Sequence, residues 1–379
     1  MKIRYFDHSA TTAVDKEVLE AMIPYFSENY GNPSSVYSIG KENKEVVNIS
    51  RMKIATILNC KVNEIYFTSC GSESDNLILK GIAFANKNRG NHIITTQIEH
   101  PAILNTCKFL EKFGFRVTYL RPNSKGIIDI KDLERSITKN TILISVMFAN
   151  NEIGTIQPIK EIGKIARRYG IYFHTDAVQA IGNQKIDVRE YNIDALSLSG
   201  HKFYGPKGIG VAYVRENIPF VRMQDGGHQE RDKRAGTENV AGIVGIAKAM
   251  ELADKNLEGY NRKIKNLRDF YVSEMIKRVP YIRINGDMES RLSGNANICF
   301  SGVDGAKLLS ELDKKGICAS SGSACSAGLL TPSHVLLAIG VPNNLARSSL
   351  RITFGKENTM EDTQYLIDNV EEIVNNLRK

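Results

Sequence analysis

The segment "TILISVMFANNEIGTIQPIKEIGKIARRYGIYFHTDA", residues 141–177, carries the pattern that decides the fold. Its two ends are short apolar runs rich in β-branched and aromatic residues, which are typical of buried strands. Between them, "KEIGKIARRYG" has the spacing of an amphipathic helix, and Gly170 lies where a helix-terminating glycine belongs. A strand, a helix and a second strand in this order predict a βαβ unit of a parallel sheet.

The same alternation of strands and helices continues on both sides of this segment. The other strand-like runs are "EIYFTS", "HIITTQI", "RVTYLR", "ALSLSG" and "GIGVAYV". After residue 240 the pattern changes to a long amphipathic region, for which we predict two helices broken near Gly259. The sequence therefore predicts an α/β protein with a large domain, residues 15–258, built on a mainly parallel central sheet. Residues 1–14 and 259–379 are predicted to form a smaller α+β domain.

Composition narrows the class of protein. The chain has 379 residues, of which 42% are hydrophobic and 24% are charged, as in ordinary globular proteins. It has no apolar run long enough to span a membrane, and its N-terminus lacks the apolar core of a signal peptide. We therefore expect a cytoplasmic protein with no membrane partner. The net charge of +8 is scattered among acidic residues, so we expect no nucleic-acid partner either.

The cysteines are spaced in a way that predicts neither a metal site nor disulfides. No two of them form a C-x-x-C pair, and a cytosolic chain of this size rarely holds disulfides. We expect most of them to be small buried residues, including Cys299 in an apolar strand and Cys318 at a strand end. Cys325 differs, because it lies in "ASSGSACSAG", residues 319–328, which has too few apolar side chains to anchor a core. A thiol in such a loop can move between a site and the surface.

Polar residues follow five of the predicted strands, at the point where each strand ends. In an open α/β sheet, ligands bind beyond the carboxyl ends of the strands, so these side chains are expected to converge on one active site. One group, "CGSESDN", reads as a glycine turn entering a helix, whose backbone N–H groups suit a phosphate. The candidate residues are Ser72, His100, Asn151, Asp176, Gln179, Ser199, His201 and Lys202.

A lysine and an aspartate in this set indicate the cofactor. Lys202 lies in the glycine-rich turn "SGHKFYGPKGIG", where desolvation and the neighbouring His201 favour the neutral amine that forms Schiff bases. Asp176 is a carboxylate of the kind that pairs with the pyridine nitrogen of pyridoxal 5′-phosphate. Together with the phosphate turn, these residues predict a pyridoxal phosphate enzyme.

Six motifs spread over essentially the whole chain resemble those of the cysteine desulfurases, the NifS-like branch of the class V aminotransferases. They are "YFDHSATT", "YGNPSS", "SGHKFYGPKG", "RAGTENV", "SSGSAC" and "SSLRITFG". The resemblance implies a fold-type-I pyridoxal phosphate enzyme that acts as a homodimer.

The resemblance also implies a role for individual residues. Lys202 would carry the cofactor, Asp176 would pair with its ring nitrogen, and His100 would stack on the ring and shuttle protons. Gln179 would bind the ring oxygen, and Thr237 would reach the phosphate of the neighbouring subunit. The residues implied to hold the phosphate are Gly71, Ser72, Ser199 and His201. Those implied to bind the substrate are Asn32, Arg351 and Asn151, the last also bordering the cofactor.

The implied reaction converts L-cysteine into L-alanine and leaves a persulfide on Cys325. A sulfur-acceptor protein, such as an iron–sulfur scaffold, would then take the sulfur. Two alternatives stay open: a selenocysteine lyase or another class V lyase or aminotransferase, and a non-catalytic protein on the same fold. Simple transamination would not need Cys325. The joint presence of Lys202, Asp176, His100 and Arg351 argues against a non-catalytic protein.

Three residues depart from the usual pattern of the family. His8 stands where an asparagine is usual, and we expect it to alter slightly the shape of the site near the N-terminus. Cys70 replaces a glycine before the phosphate turn, and we expect it to be a small buried residue. Asp232 replaces a small residue near "RAGTENV". None of the three removes a catalytic group.

Overall fold

The structure is a computed structural model that describes residues 2–321 and 332–379. Cys325 therefore lies outside the described residues. A central sheet of seven strands has the order β2-β8-β7-β6-β5-β3-β4. Its strands are β2 (Ile65–Thr68), β3 (His92–Thr96), β4 (Arg116–Leu120), β5 (Thr141–Ser145), β6 (Tyr172–Asp176), β7 (Ala195–Ser199) and β8 (Gly210–Val214).

The sheet is parallel except for one strand. β8 runs antiparallel to both of its neighbours, β2 and β7, so these two run in the same direction. The remaining neighbours pair in parallel. The carboxyl ends of six strands therefore lie at one edge of the sheet, as the α/β prediction requires.

The βαβ unit of residues 141–177 is confirmed. Every residue of β5 is buried, which explains its continuous apolar run. The following helix, α7, spans Ile159–Tyr169 and buries Ile162, Ile165 and Ala166 on one face. It ends at Gly170, whose φ of 65° lies in the left-handed region that favours glycine. The chain then enters β6, which pairs in parallel with β5.

Nine α-helices between residues 16 and 255 accompany the strands of the central sheet. They are α1 (Lys16–Met22), α2 (Pro24–Ser27), α3 (Ser38–Leu58), α4 (Gly71–Ala85), α5 (Pro101–Glu111), α6 (Ile130–Arg135), α7, α8 (Gln229–Asp232) and α9 (Val240–Lys255). Among the residues that the structure describes, no helix is both long and apolar enough to cross a membrane.

A second apolar cluster lies around a smaller sheet. Strands β9 (Ile282–Ile284), β10 (Asn295–Phe300) and β12 (Ser349–Thr353) pair antiparallel. Strand β1 (Arg4–Tyr5) pairs in parallel with β11 (Ile317–Cys318). The helices of this part are α10 (Leu257–Arg278), α11 (Gly305–Lys314), α12 (His334–Ala338), α13 (Asn343–Ala346) and α14 (Met360–Leu377).

The N-terminus joins this cluster through Phe6, which packs edge-on against Phe354. The division into domains at residue 258 stays a prediction. The two predicted helices are confirmed, because α9 ends at Lys255 and α10 begins at Leu257; the break lies three residues before Gly259. Asn256 makes the break, and its side-chain amide donates to the Leu252 carbonyl. Gly259 lies inside the first turn of α10.

Candidate active site

A cavity of about 770 Å³ lies at the edge where the parallel strands end. Its volume is in the range of sites that hold a cofactor with a substrate. Many of the residues singled out from the sequence line this one cavity. They are Gly71, Ser72, His100, Asn151, Asp176, Gln179, Ser199, His201, Lys202 and Arg351.

Lys202 is held by backbone carbonyls of the N-terminal segment. Its Nζ donates to the carbonyl oxygens of Ser9, at 2.6 Å, and Ala10, at 2.8 Å. Gln179 also donates to the Ser9 carbonyl, at 2.9 Å. His201 is fixed from the same segment, since its Nδ1 lies 3.1 Å from Thr11 Oγ1. The lysine turn and residues 9–11 thus form one hydrogen-bonded wall of the cavity.

Asp176 and His100 form a buried electrostatic pair in the cavity. Burial raises the pKa of the Asp176 carboxyl, and His100 and Lys202 oppose this by attracting its charge. Burial lowers the pKa of His100, while Asp176 raises it. His100 Nδ1 accepts a hydrogen bond from the Ala102 N–H at 3.1 Å. In the neutral ring this places the proton on Nε2.

The N-terminus of α4 supplies the expected anion-binding turn. The helix begins at Gly71, and its N-cap residue, Cys70, makes no side-chain hydrogen bond to the first turn. A Cβ at position 71 would come within 2.6 Å of Val178 Cγ2, so only glycine permits this close approach. Ser72 and Ser199 line the same side of the cavity as this helix N-terminus. Backbone N–H groups and hydroxyl groups in this arrangement suit a phosphate.

These features fit pyridoxal phosphate. Lys202 and Asp176 border the same cavity as the α4 N-terminus, so an amine, a carboxylate and an anion-binding turn are available together. The donor set matches the aldehyde, the ring nitrogen and the phosphate of the cofactor. The cavity also has room for a small substrate beside it.

Arg351 provides a cation in another part of the cavity. It lies on β12 and is 1% exposed. One of its nitrogens, Nη2, forms an ion pair with Asp7 Oδ1 at 2.5 Å, and Nη1 donates to the Asn151 carbonyl at 3.2 Å. Its Nε has no hydrogen-bond partner among the described residues. A buried guanidinium with an unsatisfied donor can bind a substrate carboxylate.

Comparison with known proteins identifies the family. Residues 4–366 match the family model of the class V aminotransferases. The chain is 53% identical to the cysteine desulfurase IscS of Clostridium botulinum, over 99% of this chain and 95% of that protein. It is 54% identical to the cysteine desulfurase IscS of Methanosarcina thermophila, over 100% and 93% of the two chains.

The chain belongs to the cysteine desulfurases. A solved structure titled "NifS-like protein" superposes with a TM-score of 0.93 at 38% identity, covering 99% of this chain and all of that one. Another, titled "SspA in complex with cysteine", gives 0.83 at 39% identity, covering 94% and 100%. The predicted family, fold type and enzyme class are thereby confirmed, and the alternative activities are not favoured. Enzymes of this family use pyridoxal phosphate.

The structure of this desulfurase adds cavity residues that the sequence analysis missed. They are Ser9, Ala10, Asp75, Glu99, Glu152, Ser333 and His334. Ser9 and Ala10 act through backbone carbonyls, which leave no side-chain signal. Glu99 lies after strand β3, and Glu152 lies after strand β5. His334 is the first residue of helix α12. The two glutamates therefore satisfy the strand-end rule, since each is adjacent in sequence to a predicted site residue, His100 or Asn151.

The carboxyl groups of Glu99 and Glu152, which the sequence analysis missed, have strongly raised pKa values. Burial raises the pKa of Glu99 to about 8, against hydrogen bonds from Met147 N and Thr96 Oγ1. Burial raises the pKa of Glu152 to about 7, while Ser333 and Arg351 lower it. Ser333 Oγ donates to Glu152 Oε2 at 2.5 Å and accepts from Leu336 N as the N-cap of α12.

Some predicted site residues lie elsewhere. Asn32 and Thr237 are exposed and are not among the residues that line the cavity. Asn32 instead accepts a hydrogen bond from the Ser34 N–H. Cys325, the predicted nucleophile of the desulfurase, falls in residues 322–331, outside the described part of the chain. Cys318 is half-buried at the end of β11, and its pKa is raised by burial.

The departures from the family pattern have different outcomes. The expectation that Cys70 is a buried filler is wrong, because it is half-buried and lines the cavity. The chain bends there to begin α4, which brings the residue to the cavity wall. His8 is buried against Gly355 and is not a cavity residue. Asp232 is exposed, and its Oδ1 lies 2.6 Å from His228 Nδ1. Its backbone φ is 64°.

Proposed function

We propose that this desulfurase takes L-cysteine as its substrate and transfers the substrate sulfur to the thiol of Cys325. The observation that carries the proposal is the convergence of Lys202, Asp176, His100 and Arg351 on one cavity. A solved relative whose title names a complex with cysteine supports the choice of substrate.

Each part of the cavity has a distinct task. Pyridoxal phosphate, when bound, withdraws electrons from the α-carbon of an attached amino acid. Lys202 would attach the group, Asp176 would hold the ring nitrogen, and Gln179 would bind the ring oxygen. The phosphate would lie at the α4 N-terminus, held by Gly71, Ser72, Ser199 and His201.

Arg351 and Asn151 orient the substrate. The guanidinium would exchange its ion pair with Asp7 for the carboxylate of L-cysteine, in a charge-assisted pair that fixes the α-carbon. Binding the substrate therefore costs little desolvation of Arg351, because one anion replaces another. This geometry holds the side chain of L-cysteine in a constant position for the sulfur transfer.

His100 and Lys202 handle protons. Burial keeps His100 mainly neutral, with Nδ1 occupied by the Ala102 N–H, so Nε2 is the atom that exchanges protons with a bound molecule. Lys202 Nζ can take a proton from the substrate and return it to the carbon that loses sulfur. The carbonyls of Ser9 and Ala10 hold the amine in place during this exchange.

The sulfur step balances without an external oxidant. The thiolate of Cys325 attacks the sulfur of the substrate, an S–S bond forms and the substrate C–S bond breaks. The electron pair of that bond stays with the carbon, which takes a proton. The products are a persulfide on Cys325 and L-alanine.

Assembly and delivery extend the proposal. We infer a homodimer in which Thr237, exposed in the single chain, approaches the phosphate site of the neighbouring subunit. We also propose that an iron–sulfur scaffold or another acceptor protein takes the persulfide sulfur, which the name of the IscS relatives supports. A cytoplasmic location stays a prediction from the sequence.

The proposal is tested by the variant Cys325→Ala with Cys318→Ala as its matched control. Sulfide and alanine release from L-cysteine and mass-spectrometric detection of the persulfide are measured on the loaded enzyme. We expect Cys325→Ala to keep the yellow absorbance of the bound cofactor but to form no persulfide. Cys318→Ala should behave as the unmodified enzyme. Persulfide on Cys318, or undiminished alanine release from Cys325→Ala, would overturn the assignment.

A further inference from the structure

A second cavity, of about 300 Å³, lies next to the turn that carries Lys202. Lys202 lines both this cavity and the main cavity, so the turn that carries Lys202 lies between them. Phe203 and Tyr204 form one wall, and Leu252, Ala253 and Tyr260 of α9 and α10 form another. Since a water molecule takes about 30 Å³ in the liquid, the space suits a molecule of about ten non-hydrogen atoms.

Gly259 borders this second cavity and is itself exposed. It lies in the first turn of α10, and glycine is less favourable in a helix than alanine. A Cβ built there would meet no atom within 4 Å, so no close approach within the chain requires glycine. Its φ does not lie in the left-handed region either. The absence of a side chain at Gly259 therefore leaves this edge of the cavity accessible from outside.

The lining combines apolar walls with an excess of positive charge. Apart from Lys202, whose amine would attach the cofactor, the lining has two lysines, Lys263 and Lys356, and one carboxylate, that of Asp15. Lys356 pairs with Asp15 and lies 3.9 Å from Glu357, whereas Lys263 donates to the Lys356 carbonyl. An anionic group on a ligand would balance the remaining charge, and its apolar body would contact the aromatic and aliphatic wall.

Tyr204 connects this cavity to the Lys202 turn. Its φ of 67° is strained for a residue with a Cβ. Its N–H donates to Thr12 Oγ1 at 2.8 Å, and its carbonyl accepts from the Asp15 N–H at 2.9 Å. Its phenol oxygen accepts from the Lys356 N–H at 2.7 Å, and the Lys356 ammonium lies 4.5 Å from its ring centroid. A ligand paired with Lys356 would therefore act on Tyr204, two residues from Lys202.

We propose that this second cavity is a binding site for a small aromatic monocarboxylate, whose binding is coupled to the Lys202 turn. The coupling follows from the shared wall, because a molecule against Phe203 and Tyr204 presses on the backbone that positions Lys202. Thermodynamic linkage makes this coupling reciprocal. If the ligand changes the affinity for the cofactor by some factor, the cofactor changes the affinity for the ligand by the same factor.

The test uses benzoate as the probe and benzamide as its neutral counterpart of the same shape. Dissociation constants are measured on the loaded enzyme by ligand-observed NMR, without L-cysteine, so the outcome does not depend on the proposed sulfur chemistry. We expect benzoate to bind with a Kd of about 1 mM or tighter and benzamide to bind at least about fivefold more weakly. Benzoate should also shift the visible absorbance of the bound cofactor.

Variants at Gly259 locate the site. Gly259→Phe places a benzyl group at the open edge of the cavity and should obstruct it, weakening benzoate binding at least about tenfold and removing the absorbance shift. Its matched control, Gly259→Ala, should keep the Kd within about twofold and raise the melting temperature. Arg351→Gln should leave the benzoate Kd unchanged, because that residue lies in the main cavity.

A charge variant keeps the test decisive if Gly259→Phe does not fold. Lys263→Met should weaken benzoate binding and leave benzamide binding unchanged. Benzoate that binds equally well to the unmodified enzyme, Gly259→Phe and Lys263→Met would overturn the proposal, as would loss of binding in Arg351→Gln. Equal affinity for benzamide and benzoate would overturn the assignment of a carboxylate ligand.

Discussion

The main cavity has two halves that the chain builds in different ways. The cofactor half comes from the ends of strands in one parallel sheet, which present Gly71, His100, Asp176 and Lys202. The substrate half combines Arg351 of β12 with the segment after β5 and the beginning of α12. A rule that concerns one sheet suffices to assemble the first half, whereas the second depends on packing between distant segments.

The electrostatics of the two halves differ as well. In the cofactor half, the Asp176 carboxylate faces the two bases His100 and Lys202, so an anion and two proton acceptors lie ready for a cofactor. In the substrate half, Arg351 is already paired with Asp7, and the buried Glu152 has a raised pKa. The first half is therefore arranged to bind a group permanently, and the second to exchange one anion for another.

The largest expected effect comes from Lys202→Ala in the cofactor half. Without the amine, the cofactor has no covalent attachment and the substrate loses its proton carrier, so kcat should fall by at least about 10³-fold. The absorbance of the attached cofactor should disappear. Both are measured on enzyme incubated with pyridoxal phosphate.

Lys207→Ala is the control for this change, because Lys207 is an exposed lysine of the same glycine-rich turn. It should retain full activity and colour. Unchanged absorbance in Lys202→Ala would show that another residue holds the cofactor and would remove the basis for the cofactor half as described.

A smaller effect is expected from Arg351→Gln in the substrate half. Loss of a charge-assisted pair with the substrate carboxylate should lower kcat/KM about 10- to 100-fold, mainly through KM. Cofactor absorbance should persist, which separates this half from the other. Because Asp7 loses its partner, the free energy of unfolding should also fall, by about 3 kcal/mol.

The exposed Arg347 lies four residues earlier and provides the control. Arg347→Gln should leave steady-state kinetics and urea unfolding unchanged. If Arg351→Gln lowers kcat with no change in KM, Arg351 acts on the reaction step, and the proposed carboxylate contact is wrong.

The same contrast explains what could be predicted from the sequence. Strand alternation predicted the sheet, and the strand-end rule led to Asp176 and Lys202, because Asp176 ends β6 and Lys202 lies three residues after β7. Arg351 was found only through the resemblance, since nothing near it in the sequence indicates that β12 reaches the cavity. Neither the strand-end rule nor the resemblance indicated Ser333 and His334, because their place depends on α12 packing against the segments that follow β3 and β5.

Backbone groups were unpredictable for another reason. Ser9 and Ala10 hold Lys202 through their carbonyls, and any residue has a carbonyl. The helix break predicted near Gly259 lies at Asn256, three residues earlier, although glycine is usually the stronger helix breaker. Here a side-chain amide that bonds the preceding turn ends the helix, and the glycine lines a cavity instead.

Glu152→Gln gives the smallest of the three effects and tests whether the substrate half carries a buried acid. Burial raises the pKa of Glu152 from 4.5 to about 7. Between these two values the folded chain binds more protons here than the unfolded chain, so this group makes stability fall as the pH rises. At pH 8 the cost to the free energy of unfolding is about 3 kcal/mol, because the shift is about 2.5 pKa units and each unit corresponds to about 1.4 kcal/mol.

Glutamine does not titrate and can still accept the hydrogen bond from Ser333 Oγ, so the comparison isolates the charge. Urea unfolding at several pH values should give similar stabilities for both proteins near pH 5. The variant should become progressively more stable than the unmodified enzyme up to pH 8. Other titrating groups, including Glu99, are common to both and cancel in the difference. A difference that does not vary with pH would mean that Glu152 ionises as an ordinary carboxylate, and the two halves would then not differ in this respect.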